Sequence, residues 1–356
     1  MNYWSKQHSF ITAIACTLVG LASCNAGEMI DAADSDLDIS ENASKLKLVQ
    51  EKGSITCGVN GQLAGFSFID ENAQYSGMDV DFCRAVAAAL FDDPDAVEFR
   101  NLSAQERLEA VQKEEVDLLS RNTTWTISRD TFVGLEFAPI LFYDGQGILV
   151  TKASGIENIK DLTNQAICVQ SGTTTELNLA DHMRQQDIPY DLVLFDDAEA
   201  MYEAYDQGAC VGATSDRSQL VIQRAAMSEP SQHVLLPDVL SKEPLAPVVK
   251  NDDSPWFDTV KWVVYAIIQA EEFGITSTNL PQFLASEDPR IRRFLGVEGQ
   301  LGEDMGLPND FAVRIIEHVG NYGEIYERNL GEPYDLDRGL NNLWVDGGLL
   351  YSPPFR

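Results

Sequence analysis

Short apolar stretches alternate with amphipathic stretches along most of the chain after residue 45. The apolar stretches have the length and composition typical of strands, and they lie at residues 54–59, 97–101, 116–120, 147–151, 166–170, 192–195 and 210–214. Apolar positions recur at helical spacing in segments 79–90, 104–112, 174–186, 198–207 and 218–226. The alternation predicts an α/β fold in which helices connect the strands of mostly parallel sheets.

This succession of strands and helices occurs twice, which predicts two lobes. Lobe 1 is expected at residues 46–146 and lobe 2 at residues 147–242. The segment Gly145-Gln146-Gly147 leads into lobe 2, and the proline-marked sequence SKEPLAP at 241–247 has the pattern of a strand that leads back. We therefore expect two hinge crossings, with residues 243–275 returning to lobe 1.

The C-terminal part of the chain is expected to be helical and packed. Residues 256–273 are strongly apolar, but Lys261, Gln269 and Glu271 interrupt them, so a buried helix is favoured over a membrane span. A further helix is expected at 310–319, and the later aromatic and proline residues indicate an ordered segment. We expect residues 276–356 to form a C-terminal extension packed on lobe 1.

The N-terminus has the pattern of a targeting segment. Lys6 precedes an apolar run at 10–21, and the following Leu21-Ala22-Ser23-Cys24 resembles the bacterial lipobox, whose cysteine becomes the lipid-bearing first residue. An ordinary cleavage site is the alternative, because small residues suit it as well. Residues 1–23 are therefore predicted to be a lipoprotein signal peptide, Cys24 to be lipidated, and the acidic residues 24–45 to be a flexible tether.

Length and charge limit the possible partners. The 356 residues suffice for two domains of ordinary size. With 25 basic and 56 acidic residues the formal net charge is −31, which disfavours nucleic acid and anionic membrane surfaces through repulsion. The expected partners are neutral or zwitterionic molecules, or proteins.

Cysteine usage predicts disulfide bonds. If Cys16 leaves with the signal peptide and Cys24 carries lipid, an even number of cysteines remains, as is usual in an exported chain. The sequence does not select among the possible connectivities, but two cysteines lie in each half. We predict the pairs Cys57–Cys83 and Cys168–Cys210. No C-x-x-C spacing occurs, so a zinc site is disfavoured.

The segment SRNTTWTISRD at 120–130 is the first candidate site. It places Asn122 and Thr124 directly after an apolar strand, followed by Trp125 and Arg129. Arg129 offers a planar fork of donors that fits a carboxylate, and Trp125 offers a flat apolar wall. The alternative is a threonine-rich turn that caps a helix at Ser128.

The segment QSGTTTEL at 170–177 is the second candidate site. It joins a strand to a helix, so exposed N–H groups and the positive helix end favour a carboxylate near Ser171, Thr173, Thr174 and Thr175. Thr173 and Glu176 also match a capping box, which is a sufficient structural explanation for these two residues. It leaves Thr174 and Thr175 unexplained.

Asp216 follows the end of an apolar strand and completes the constellation. On its own it is equally well explained as the N-cap of the helix at 218–226. Together with Arg129 and Thr174, it forms a set that fits a zwitterion: cationic and N–H donors for an α-carboxylate, and an anion for an α-ammonium group.

Several longer segments carry a family resemblance. These are CGVNGQLAGFSF (57–68), YSGMDVDFCRAVAAAL (75–90), LLSRNTTWTISRD (118–130), YDGQGILV (143–150), CVQSGTTTELNLAD (168–181), SKEPLAPVV (241–249), WFDTVKWVVYAIIQAEEFGI (256–275), NYGEIYERN and LWVDGGLLYSPPFR. The chain resembles solute-binding proteins of bacterial ABC transporters for amino acids, and most closely the general L-amino-acid subgroup that has a long C-terminal extension. The resemblance covers essentially all of the chain after residue 46.

The resemblance implies a periplasmic-binding-protein type 2 fold that closes on one amino acid. It also implies a lipid-tethered monomer in the periplasm that needs no cofactor and delivers its ligand to an ABC permease and its ATPase. The positions that match the family's binding residues are Arg129 for the carboxylate, Thr124 and Asn122 in the pocket, Thr173 and Thr174 in the anion loop, and Asp216 for the ammonium group.

Side-chain selectivity is expected to be broad. Asn60 and Leu63 fall where the family reads the ligand side chain, and here they are neutral and non-aromatic, unlike the residues in members selective for cationic amino acids. Trp125 would serve as a tolerant wall. An enzyme such as a cyclohexadienyl dehydratase-like protein is the alternative on this fold, but Glu176 is its only nearby acid–base candidate. A signalling sensor would require a transmembrane helix after the domain, and we do not recognise one in the sequence.

Overall fold

The computed structural model describes residues 44–356. The predicted signal peptide at 1–23, the lipidation of Cys24 and almost all of the predicted tether lie outside the described residues. Within the described residues, no helix has the length and apolar character needed to cross a membrane.

Strands occur throughout the first two thirds of the described chain. In chain order they are β1 (Ile55–Val59), β2 (Gln62–Leu63), β3 (Ser67–Ile69), β4 (Tyr75–Ser76), β5 (Val97–Asn101), β6 (Leu118–Leu119), β7 (Leu135–Phe137), β8 (Phe142–Thr151), β9 (Ala166–Gln170), β10 (Asp191–Phe195), β11 (Gly212–Asp216), β12 (His233–Leu235), β13 (Lys242–Leu245) and β14 (Val248–Lys250).

Helices separate the strands and make up the C-terminal part. They are α1 (Lys45–Lys52), α2 (Met78–Phe91), α3 (Arg107–Gln112), α4 (Thr174–Gln185), α5 (Ala198–Asp206), α6 (Arg217–Ala226), α7 (Ser254–Glu272), α8 (Leu280–Phe283), α9 (Pro289–Phe294), α10 (Leu301–Asp304), α11 (Phe311–His318), α12 (Tyr322–Tyr326) and α13 (Glu332–Tyr334). Short 3-10 and π turns connect several of them, including Ser128–Phe132 and Glu327–Gly331.

Two sheets define the two lobes. The first has the order β5-β1-β6-β14-β7, and the second has the order β10-β9-β11-β8-β12. In each sheet the strands joined by helices are parallel, whereas β14 in the first sheet and β8 in the second run antiparallel to their neighbours. The sheets are therefore mixed, because chain segments that enter from the crossings add antiparallel strands to the expected parallel set.

Two adjacent strands carry the chain between the lobes. The long strand β8 begins at Phe142, ahead of the expected residue 147, and its first half pairs with β13 in an antiparallel ladder. In this ladder Asp144 lies opposite Glu243. The two crossings thus lie side by side, and each carries a carboxylate.

The cysteines pair as predicted, one disulfide in each lobe. Cys57 on β1 bonds Cys83 on α2, with sulfur atoms 2.07 Å apart, and Cys168 on β9 bonds Cys210, with sulfur atoms 1.94 Å apart. Each bridge fixes a helix or loop against an inner strand of its sheet.

The C-terminal helices share the core of lobe 1. Phe311, Ile315, Tyr322 and Tyr326 are buried in the same apolar cluster as α2 and α7. Most of these helices are only four to eight residues long, as in α8 and α11, so only α11 has enough periodic positions to be predicted. The helix α1 was also missed, because Leu46 and Val49 are its only buried residues and the rest of it is polar.

Candidate functional site

A polar cleft lies between the two lobes. Lobe 1 lines it with Asn60, Leu63, Arg107, Arg121, Asn122 and Thr124. Lobe 2 lines it with Gln170, Thr173, Thr174, Thr175, Ala198, Tyr202, Ser215, Asp216 and Gln219. The two lobes therefore contribute groups to one site.

The structure brings most of the sequence-predicted residues together. Those that line the cleft are Asn60, Leu63, Asn122, Thr124, Thr173, Thr174, Thr175 and Asp216. They come from ends of strands and from the turns that follow, which meet at one edge of each sheet.

Three predicted residues lie beside the cleft and do not line it. The ring of Trp125 stacks on Phe137 with centroids 6.0 Å apart, and the side chain is 38% exposed. Ser171 lies at the rim, where its hydroxyl accepts from Gln105 of lobe 1 at 2.8 Å. Arg129 is half-buried and donates to the carbonyl of Thr124 at 2.9 Å.

The carboxylates near the cleft affect the pKa of Arg129. Burial lowers its pKa, while the carboxylates of Glu243 and Asp216 act in the opposite direction. Within the described residues it forms no salt bridge, so its guanidinium is not committed to a protein carboxylate.

The N-terminus of α4 forms the lobe 2 wall of the cleft. Thr173 is the N-cap and accepts from the N–H of Glu176 at 3.2 Å. The carboxylate of Glu176 accepts from the N–H of Gly172 at 2.9 Å and not from that of Thr173. The expected capping box is therefore only half formed, and Glu176 is held away from acid–base work in the cleft.

Glu243, on the second crossing, joins the two lobes through hydroxyl groups. It is fully buried, and one of its oxygens accepts from Thr124 of lobe 1 at 2.6 Å and from Thr174 of lobe 2 at 2.9 Å. The other oxygen accepts from Asn178 of α4 at 2.7 Å and from Ser241. The sequence patterns did not indicate this residue, because its partners Thr124 and Thr174 are 119 and 69 residues away in the chain.

Asp216 ends β11 and stands at the N-cap position of α6, yet its side chain makes no capping bond. Asp144 of β8 performs this role, because its carboxylate accepts from the N–H of Ser218 at 3.3 Å and from the Ser218 hydroxyl. The structural explanation for Asp216 therefore fails, and its carboxylate is available to the cleft.

Burial governs the charge state of Asp216 in the cleft and of Asp144 beside it. It raises the pKa of Asp216 well above the usual range, and the neighbouring Asp144 and Glu243 add to the effect. Burial likewise raises the pKa of Asp144 to about 6. A ligand cation would offset this repulsion and restore the ionised form.

Asp79 supports the lobe 1 side of the cleft. Burial raises its pKa to about 6, while its two oxygens accept from the Ser120 hydroxyl and the Asn122 N–H, each at 3.0 Å. Asn122 has a φ of 32°, an uncommon value for a side-chain-bearing residue. The bond to Asp79 stabilises this strained turn, which points Asn122 toward the cleft.

Two buried arginines in the cleft were not predicted. Arg107 and Arg121 are only 4% and 3% exposed, and neither forms a salt bridge within the described residues. Burial lowers the pKa of Arg107 well below its usual value and lowers that of Arg121 to about 10. Arg107 is part of α3, so its position in a helical pattern gave no sign of a site.

Several buried polar atoms in the cleft have no protein partner within residues 44–356. They are Arg107 Nε, Asn122 Oδ1, the Tyr202 hydroxyl and both amide atoms of Gln219. Buried polar groups are nearly always hydrogen-bonded, and leaving them unpaired is costly. The cleft is therefore built for a polar ligand that carries both donors and acceptors.

The protein has two α/β lobes joined by two adjacent crossings, and both lobes contribute residues to a charged cleft. These features define the class of two-lobed solute-binding proteins. The chain belongs to the bacterial extracellular solute-binding proteins, family 3, whose sequence model matches residues 55–278. The predicted family and fold are thereby confirmed.

Two curated relatives resemble the chain over most of its length. It is 48% identical over 319 residues to the general L-amino acid-binding periplasmic protein AapJ of Rhizobium johnstonii, covering 88% of this chain and 94% of the relative. It is 47% identical over 319 residues to the glutamate/glutamine/aspartate/asparagine-binding protein BztA of Rhodobacter capsulatus, with the same shares covered.

A solved structure shows the same architecture. It is described as an ABC transporter periplasmic binding protein from Brucella ovis with glutathione bound, and it matches with a TM-score of 0.86 and 47% identity, over 88% of this chain and 100% of that one. The family and these relatives are binding proteins of transport systems, so the predictions of an extracytoplasmic binding component and of no enzymatic role are confirmed.

Proposed function

We propose that the cleft binds L-amino acids as zwitterions, with broad specificity, and that the protein delivers them to an ABC permease and its ATPase. The observation that carries the proposal is Asp216, whose side chain makes no capping bond and lines the cleft opposite a lobe that supplies arginines and hydroxyl groups. The relatives named for amino-acid binding, at 47–48% identity, support the same ligand class.

Each end of the zwitterion is assigned to its own groups. Arg129 and the N-terminus of α4 at Thr174 receive the α-carboxylate. Asp216 receives the α-ammonium group, and the hydroxyl of Thr124 and the amide of Asn122 complete the bonds. Asn60 and Leu63 contact the ligand side chain. Lobe 1 comprises residues 46–146 and lobe 2 comprises residues 147–242. Because each lobe supplies part of the site, the full set of ligand bonds forms only when the lobes close.

The ligand side chain meets a second anion-binding group. Arg107 has an unpartnered Nε, and its Nη1 makes only bonds of 3.4 and 3.5 Å to protein oxygens. The neighbouring Arg121 adds positive charge. A carboxylate on the ligand side chain would satisfy these donors. We infer that acidic amino acids and γ-glutamyl compounds such as glutathione bind more tightly than neutral amino acids. One relative is named for glutamate and aspartate together with the neutral glutamine and asparagine, and a similar solved structure has glutathione bound.

Replacing Arg107 with methionine is expected to change selectivity more than overall binding. A charge-assisted hydrogen bond contributes about 1.5–3 kcal/mol, so L-glutamate should lose about tenfold or more in affinity. L-Alanine, which has no second carboxylate, should lose little. Calorimetric titration of refolded protein with both ligands measures the ratio. An equal loss for the two ligands would show that Arg107 does not read the side chain.

Ligand affinity is expected to fall as the pH is lowered from about 7 to 5. The pKa of Asp144 is raised to about 6, so this carboxyl group takes up a proton in this range, and burial raises the pKa of Asp216 in the same direction when no cation is near. An ammonium group binds the ionised form, so binding releases protons and strengthens as the pH rises.

The same carboxylates affect the stability of the ligand-free protein in the opposite direction. The raised pKa of Asp144 contributes stability at low pH that is lost as the pH rises through about 6, and the raised pKa of Asp216 acts in the same direction. The rise in melting temperature caused by L-glutamate should therefore be larger at pH 7 than at pH 5. Equal shifts at the two pH values would contradict the assignment of Asp216 to the ammonium end.

The cellular setting follows from the N-terminal sequence. We propose that the protein is a monomer tethered to the membrane through lipid on Cys24 in the periplasm, with residues 24–45 as its tether. Metabolic labelling of the protein with palmitate in its host, compared with a Cys24→Ala variant, tests the anchor. Label retained by the variant would refute it.

A further inference from the structure

We propose that the C-terminal extension, residues 276–356, favours closure of the cleft by fastening the first crossing and lobe 2 to lobe 1. It would thereby raise ligand affinity without touching the ligand. The inference rests on the proposed amino-acid binding and assigns a role to a part of the chain that lies beyond the family match at 55–278.

Asn341 of the extension binds the backbone of the first crossing. Its Oδ1 accepts from the N–H of Tyr143 at 2.7 Å, and its Nδ2 donates to the Tyr143 carbonyl at 3.0 Å. Tyr143 lies opposite Pro244 in the β8–β13 ladder, and the Pro244 carbonyl accepts from the N–H of Trp125 at 2.8 Å. The backbone groups of Tyr143 therefore point away from β13. Asn341, itself 3% exposed, thus takes the place of a strand partner at the outer edge of the hinge.

Asn341 is held rigidly by lobe 1. The guanidinium of Arg338 pairs with both carboxylate oxygens of Glu271 on α7, at 2.6 and 3.1 Å, and donates to the Asn341 carbonyl at 2.9 Å. It also lies 5.4 Å from the ring centroids of Tyr322 and Tyr326. The amide of Asn341 is therefore positioned from the core helices of lobe 1.

Tyr322 makes a second bond to the chain that leads into the first crossing. Its hydroxyl donates to the carbonyl of Leu141 at 2.9 Å, one residue before β8 begins. Tyr322 is fully buried, so this bond is shielded from water. The extension therefore contacts both Leu141 and Tyr143 on the way into the hinge.

The extension also reaches lobe 2. Ile222 on α6 is 1% exposed and is buried in the apolar cluster of lobe 1, together with Leu330 of the extension. The methyl groups of Leu330 and Ile222 lie 2.8 and 3.0 Å from the point where a β-carbon on Gly65 would stand. Lobe 1, lobe 2 and the extension thus meet at Gly65, where any side chain would separate them.

Leu330 is fixed by its neighbours. The adjacent Arg328 and Asn329 both donate to one oxygen of Asp81 on α2, each at 2.7 Å. Asp81 is buried, and its hydrogen bonds to Arg328 and Asn329 offset the cost of burying its negative charge. The segment that contacts Ile222 is therefore part of the rigid body of lobe 1.

These contacts depend on the relative position of the lobes. When lobe 2 moves away, Ile222 leaves Leu330 and the crossing at Tyr143 turns relative to Asn341. Interactions that exist only in the closed arrangement shift the equilibrium toward it, and a larger closed fraction raises apparent affinity in proportion.

The test compares Asn341→Ala with Asn342→Ala. The control removes an identical side chain one residue further on, whose amide donates only to the carbonyl of Gly339 in its own loop. L-Glutamate affinity and dissociation rate are measured by calorimetry and stopped-flow fluorescence, and the radius of gyration by X-ray scattering of refolded protein with and without L-glutamate.

Asn341→Ala is expected to weaken affinity about tenfold, mainly through faster dissociation, because two neutral hydrogen bonds are lost. Its ligand-free radius of gyration should exceed that of the parent, and the two should be equal when saturated with ligand. The control should match the parent throughout. A variant with reduced melting temperature but with affinity and ligand-free radius within error of the parent would overturn the proposal, because Asn341 would then be merely structural.

A second variant tests the proposal independently in case Asn341→Ala does not fold. Ile222→Ala removes the lobe 2 contact from the other side and is expected to change affinity and radius in the same direction. If the parent binds no L-amino acid, the proposed ligand is wrong, whereas the ligand-free radii still test the extension. Equal ligand-free radii for the parent and both variants would then refute it.

Discussion

Replacing Arg129 with alanine is expected to weaken binding of every L-amino acid by more than about a hundredfold. A bidentate pair between its guanidinium and the α-carboxylate supplies two charge-assisted bonds of about 1.5–3 kcal/mol each. Because the α-carboxylate is common to all ligands, the loss should be similar for L-glutamate, L-glutamine and L-alanine. Calorimetric titration of the refolded variant measures it.

Two further variants separate geometry from charge. Arg129→Lys keeps the charge but not the planar fork, so an intermediate loss is expected. Arg290→Ala removes an exposed arginine paired with Asp288 on the extension and should leave affinity unchanged. If Arg129→Ala binds amino acids within a factor of two of the parent, Arg129 is not the carboxylate-binding residue, and the buried Arg107 and Arg121 become the candidates for that role.

Replacing Asp216 with asparagine is expected to change ligand binding and stability in opposite directions. The substitution conserves size but removes the charge that faces the α-ammonium group, so affinity should fall by about a hundredfold. In the ligand-free protein, the raised pKa of Asp216 means that its ionised form is unfavourable in the fold. The melting temperature of the free variant should therefore equal or exceed that of the parent at neutral pH.

Melting curves with and without L-glutamate measure both effects. The variant should lose nearly all of the ligand-induced shift that the parent shows, although its own melting temperature is not lowered. Asp181→Asn, which alters an exposed carboxylate on α4 paired with Arg184, is the matched control and should behave like the parent. A full ligand-induced shift in Asp216→Asn would exclude an ionic role for this carboxylate.

The sequence was sufficient to predict residues at the ends of strands. Thr174 follows β9, which ends at Gln170, and Asp216 ends β11. These two strands are parallel neighbours in one sheet, and the carboxyl ends of such strands meet at one edge. A strand pattern followed by polar residues therefore predicts both the fold and the lobe 2 half of the site.

Helical and hinge residues of the site were beyond this reasoning. Arg107 belongs to a helix whose pattern gives no sign that an arginine points inward, and its burial follows from tertiary packing alone. Glu243 acts through contacts with Thr124 and Thr174, which are 119 and 69 residues away in the chain. No local pattern carries that information.

Turn geometry explains why neighbouring residues of the first candidate segment have different positions. The segment passes through the positive φ of Asn122 and ends in the π turn Ser128–Phe132. These irregular dihedrals direct Asn122 and Thr124 into the cleft, while Trp125 packs on Phe137. Regular strand or helix periodicity does not describe such a path, so side-chain directions could not be derived from the sequence.

The role of the extension could be inferred only from long-range contacts. Asn341 and Tyr143 are 198 residues apart in the chain, and most helices of the extension have too few turns to reveal which face is buried. The aromatic content predicted that the extension would pack on lobe 1, and Tyr322 and Tyr326 are buried there. Its contact with the hinge had no sequence signal.

The measurement that tests the central claim most directly is thermal melting of the refolded protein against a panel of L-amino acids, their D-forms, and analogues that lack one of the two charges. A ligand that binds only the native state raises the melting temperature with the logarithm of its concentration over its dissociation constant. We expect shifts with many L-amino acids, largest for L-glutamate, and none with amines or acids that carry a single charge. Equal shifts with the singly charged analogues, or no shift with any L-amino acid, would contradict a cleft that binds zwitterions.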